Sequence, residues 1–136
     1  GVVILRIDAS FYFGNVNFLK EKIDEVLFRE KRDLRTVIID MSSVNFMDSS
    51  ADKAMQEIWS ELKELNILLL IANIKGPVRD VMKRSGLYQK IGASHFFYAI
   101  GDAVHFLELS NMSKEKSNGK TLSEAVLKSV SKYEVI

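Results

Sequence analysis

Apolar positions along this chain fall into two alternating spacings. Short apolar runs occur at Val2-Val-Ile-Leu5, within Thr36-Val-Ile-Ile-Asp40 and at Ile67-Leu-Leu-Leu-Ile-Ala72. Their β-branched content and length predict strands buried on both faces. Between them, apolar residues recur every three or four positions. Val16, Leu19, Ile23, Val26 and Leu27 mark one helix, with Asn15 as its N-cap. Ala51, Ala54, Met55, Ile58, Leu62 and Leu65 mark a second, over residues 50–65, with Asn66 as its stop. Gly76-Pro77 opens a third, carrying Val78, Val81 and Met82 and ending at Gly86. A strand at residues 96–98 and a helix from Gly101 through Leu109 follow. Residues 11–13 are expected to form a short strand that makes a hairpin with the opening one.

With that hairpin counted as the first β unit, the order is close to β, α, β, α, β, α, β, α. It implies an α/β fold with a mostly parallel central sheet of about four to five strands, flanked by helices. The stretch from Asn111 to Lys120 is polar and reads as a linker. Thr121-Leu-Ser-Glu124 is a capping box, expected to open a short amphipathic helix with Leu122, Ala125, Val126 and Val130. The division expected is therefore a domain at 1–110 and a tail at 111–136.

Composition narrows the class. Of 136 residues, 47% are hydrophobic and 27% charged, as in one compact domain. A net charge of +1 gives no general pull toward nucleic acid, which is not an expected partner. Without cysteine there are no disulfides or thiolate metal sites. The longest aliphatic run is far short of the roughly 18 residues of a membrane span. The chain opens on a strand at Gly1 without a methionine, as expected of a segment cut from something longer.

Chemistry concentrates at one place. Met47-Asp48-Ser49-Ser50 lies between the Thr36–Asp40 strand and the second helix. Unpaired amides and the positive end of the helix dipole meet there, so phosphate or another anion could be held, or Ser49 or Ser50 phosphorylated. The plainer reading is a cap, with Ser49 and Asp52 as a capping box. Asp40 is expected to satisfy backbone donors of the following loop, and Asp48 to accept near the positive end of the helix. His95 and His105 have no ligand pattern around them, and no glycine-rich phosphate loop or nucleophile motif occurs. Neither metal, catalytic residue nor resident cofactor is expected; a nucleotide or phosphate at the Ser49 helix start has no motif behind it. Lys75, Pro77, Val78 and Arg79 form a second candidate surface, for an acidic or phosphorylated partner. In a parallel sheet it should share the carboxyl edge with Asp48, Ser49 and Ser50.

Those segments together resemble the STAS domain. The resemblance rests on Val44-Asn-Phe-Met-Asp-Ser-Ser50, the helix after it, Leu68-Leu-Leu70, Gly76-Pro-Val78, Met82 and Ser85-Gly-Leu87, within residues 1–110. Two branches share that fold: anti-sigma-factor antagonists and the cytoplasmic ends of SulP anion transporters. In the antagonist branch the serine after the aspartate is phosphorylated, which corresponds to Ser49. Glycine usually follows the two serines, where this chain has Ala51. The segment Phe11-Tyr-Phe-Gly-Asn-Val-Asn-Phe18 resembles the transporter branch. That branch implies a regulatory or interaction domain of a sulfate or anion permease at the cytoplasmic face of the membrane. Its implied partners are the permease's transmembrane domain, a regulatory protein or nucleotide, and a second copy through the parent transporter. The alternative is a free-standing antagonist switched by serine phosphorylation.

Overall fold

The computed structural model describes residues 1–8, 16–30, 32–112 and 130–135. Its strands are β1 (Val2–Arg6), β2 (Thr36–Asp40), β3 (Leu68–Ala72), β4 (Phe96–Phe97) and β5 (Val130–Val135). Its helices are α1 (Val16–Arg29), α2 (Ser49–Glu64), α3 (Gly76–Ser85), α4 (Leu87–Ile91) and α5 (Ile100–Met112). The five strands form one sheet in the order β4-β3-β2-β1-β5, with every pairing parallel.

Period-two alternation along the strands divides the core into two layers. Val3, Leu5, Val37, Ile39, Leu69 and Ile71 face a layer built from α1, α2, α3 and α4. Leu19, Ile23, Met55, Ile58, Leu62, Val78, Met82, Leu87 and Ile91 fill that layer. Val2, Ile4, Ile38, Leu70 and Ala72 face the other way, onto Ala103 and Leu107 of α5. Both faces of the sheet are covered, which is why its strands read as continuous aliphatic runs rather than alternating ones.

The helix ends follow local chemistry. Asn66, at φ 58°, closes α2: its amide donates to Lys63 O and the Ile67 amide to Leu62 O, at 3.0 and 2.8 Å. This is a Schellman closure, with Asn66 supplying the left-handed residue. Pro77 sits in the first turn of α3, and Gly86, at φ 87°, ends it.

Three expectations change. The cap of α2 is Asp48, not Ser49: Asp48 is extended (φ −88°, ψ 175°), and its Oδ1 accepts from the Ala51 amide at 2.8 Å. Ser49 and Ser50 are then the first two helical residues, and Asp52 turns inward, so no capping box forms. Leu87–Ile91 is a helix that the sequence reading does not contain; five residues are too few to display a period. Val130, expected at the end of a tail helix, opens β5, which pairs with β1. The rest of that helix, the linker after Met112, the strand at 11–13 and the Asn15 cap lie outside the described residues.

Candidate functional site

All five strands run the same way, so the segments following β1, β2 and β3 emerge on one edge. Asp40 organises that edge. It is 4% exposed, and its Oδ1 accepts from the Ser42 amide at 3.0 Å and from Asn73 Nδ2 at 2.9 Å. The turn after β2 is thereby tied to the turn after β3, and the expected role of Asp40 as an acceptor for loop donors holds. Beside it, Arg6 grips Asp8 through two hydrogen bonds, at 2.8 and 3.2 Å. These hold the Asp8 carboxyl below the usual carboxylate range.

The loop after β2 rises to Asp48, which serves as the acceptor expected near the positive end of α2. Ser49 is exposed and Ser50 half-buried. As the first two residues of the helix, they have amides with no partner in the preceding turn. Ala51, wholly buried, anchors the turn from below.

Lys75 joins the two candidate segments, because its Nζ donates to Asn45 Oδ1, three residues before Asp48. The starts of α2 and α3 are thus held side by side. Pro77 is exposed there, whereas Val78 is wholly buried in the core and supports the surface from beneath. That corrects its placement on the contact surface: its position in the first turn of α3 aims its side chain at Met82's layer. Arg79 is half-buried and lines a small cleft with Tyr88, Phe96 and Tyr98, off to the β4 side.

Asn45 and the exposed Phe46 enter the sequence reading only inside the Val44–Ser50 motif, with no role of their own, and Asn73 does not enter it. Asn73 carries the one signal that was available. It is an asparagine directly after a strand, at φ 60°, where a turn residue is needed. Among the described residues no cluster of His, Asp and Glu is arranged to hold a metal ion. No described helix is long and apolar enough to cross a membrane.

A parallel α/β sheet whose carboxyl edge carries a capped Asp-Ser-Ser turn beside a Gly-Pro helix start defines a known class of small domain. Residues 1–103 match the STAS domain, and the chain belongs to that family. It is 32% identical over 148 residues to "Probable sulfate transporter 4.2" of Arabidopsis thaliana, covering 98% of this chain and 22% of that protein. The chain thus spans about a fifth of the length of the curated relatives it matches.

Among solved structures, a sulfate transporter family protein from Wolinella succinogenes superposes with a TM-score of 0.71 at 22% identity. The match covers 79% of this chain and 85% of that one. The murine Solute Carrier 26 family member A9 anion transporter, solved in its inward-facing state, gives 0.66 at 26% identity, over 79% and 18% of the two chains.

Proposed function

We propose that this chain is the cytoplasmic STAS segment of a SulP-type sulfate or anion permease, and that it regulates transport through contacts at its carboxyl edge. The observation that carries the reading is the Lys75–Asn45 hydrogen bond, which ties the residue before α3 to the loop leading into α2, where Ser49 is exposed. Both dipoles point their positive ends outward there, and Lys75 adds a full charge. An acidic or phosphorylated face of the permease's transmembrane domain, or of a regulatory protein, suits such an edge. Phosphate on Ser49 itself would set a double negative charge beside Asp48 and change what the edge attracts. The transporter relatives support this branch over the free-standing antagonist.

The test uses the full-length permease carrying Ser49→Asp. An acidic residue at the first helical position suits the dipole, so the domain should remain folded. Anion flux is expected to change, with the purified domain's unfolding midpoint unmoved. Binding of a serine kinase, lost in the same variant while flux stays normal, would favour the antagonist reading. If neither flux nor kinase binding responds, the two serines only begin a helix and the edge has no regulatory part.

A further inference from the structure

A second feature lies at the opposite end of the sheet. Where β3 begins and α4 ends, a groove of about 360 Å³ opens between α2 and the turn that leads into β4. Its floor is apolar, made by Ile67, Leu69 and Ile91, with the Trp59 ring along one wall. Its polar groups are Lys63, Lys90 and His95, together with Asn66, and no carboxylate lines it.

A simple explanation for these basic residues is that each sits near a helix C-terminus, where cations are favoured. The carbonyls concerned already have partners. Those of Glu61, Leu62 and Lys63 accept from the amides of Leu65, Ile67 and Asn66, and Tyr88 O accepts from the Gly92 amide. His95 sets Nδ1 2.7 Å from Ile91 O, which leaves Nε2 as its other ring nitrogen. The ammonium groups meet only neutral partners: Lys63 lies over Trp59, 4.8 Å from the ring centroid, and Lys90 donates to Gln56 Oε1 at 3.2 Å. Neither makes an ion pair within the described residues. Two uncompensated cations therefore border an apolar, aromatic-walled groove of the size that small molecules occupy.

We propose that this groove binds a free amphipathic carboxylate, a small acid with an apolar tail. The carboxylate bridges Lys63 and Lys90, and the tail lies on Ile67, Ile91 and the Trp59 ring. Charge-assisted hydrogen bonds fix the head, and desolvation of the tail supplies the rest. The site lies on the edge of the sheet away from Ser49, so it is independent of the regulatory reading above.

Trp59 is the only tryptophan of the chain, which makes its emission a direct reporter on the groove. Decanoate, titrated into the purified chain below its micelle-forming concentration, should shift that emission saturably. Lys63→Gln and Lys90→Gln each replace an exposed residue and should leave the unfolding midpoint unchanged. Each should weaken decanoate by about tenfold, the usual worth of one charged hydrogen bond. Decyltrimethylammonium, with the same tail and the opposite charge, should give no saturable shift. Equal responses to the two probes, or unweakened binding in both variants, would overturn the proposal. So would a shift produced by phosphatidylglycerol vesicles and not by decanoate, since the source of the anion would then be a membrane surface.

Discussion

Asp48, Ser49 and Ser50 are three consecutive residues that can each cap a helix, and composition does not choose among them. Backbone conformation does: Asp48 is extended and Ser49 already helical. Asp48→Ala should therefore cost about 1 kcal/mol, measured by denaturant unfolding, while Ser49→Ala should cost much less. Equal costs would return the cap to Ser49. The candidate site was legible to this extent. A D-S-S turn after a strand and a Gly-Pro helix start could be assigned to one edge, because parallel topology demands it. Side-chain direction has no sequence signature there, so the pattern puts Val78 on the surface and gives Asn45 no role of its own. Charge acts at the same scale. Although Glu61 is exposed, partial desolvation and then the nearby carboxylate of Asp24 raise its carboxyl above the ordinary value. Such a group binds its proton more tightly when folded. Its favourable contribution is complete at pH below its unfolded pKa and is lost as pH rises through the raised folded value. Glu61→Gln should thus raise the unfolding free energy at pH 7 by roughly a few tenths of a kcal/mol given solvent screening, read as a higher midpoint, with almost no change near pH 3. A lower midpoint at pH 7 would reverse the sign.

Among the elements, α2 matters most to the packing, since it touches α1, β3, α3 and α4. Ile58 lies on its inner face with 1% of its surface exposed. Ile58→Ala removes buried methyl groups from a layer closed on every side, and should cost about 2–5 kcal/mol in chemical denaturation. A near-neutral result would mean that the helix does not face the sheet as described. The same sixteen residues were the most readable part of the sequence, with four turns of regular spacing and a stop at Asn66. β1, β2 and β3 were nearly as clear, because burial on both faces demands aliphatic residues throughout. The elements that escaped had weak periods. α4 is little more than a turn beyond Gly86, and its Leu87 and Ile91 look like loop residues until packed. In β5, Val-Ser-Lys-Tyr-Glu-Val shows no strict alternation, and Val130 fitted the spacing of the preceding Leu122, Ala125 and Val126 better than it fitted a strand. Pairing with β1, which no local pattern announces, decides its state.

For the molecule as a whole, the sheet is completed by that pairing. Deleting residues 130–136 would remove the β5 partners of β1 and expose the edge of a mostly aliphatic strand. The truncated chain should unfold at a lower denaturant concentration and self-associate on concentration, visible as increased light scattering. A monomer with the parental midpoint would show that β5 adds nothing. Residue 2 and residue 130 are neighbours across this ladder, which has a consequence for how the chain acquires its shape. β1, β2 and β3 join through successive crossovers and need no distant sequence. The far side of β1 lacks its β5 partner until residues 130–135 are available, and distant pairings form slowly. Within this domain, the first strand to leave the ribosome is the last to be enclosed, so the nascent domain carries an open sheet edge until β5 has been made.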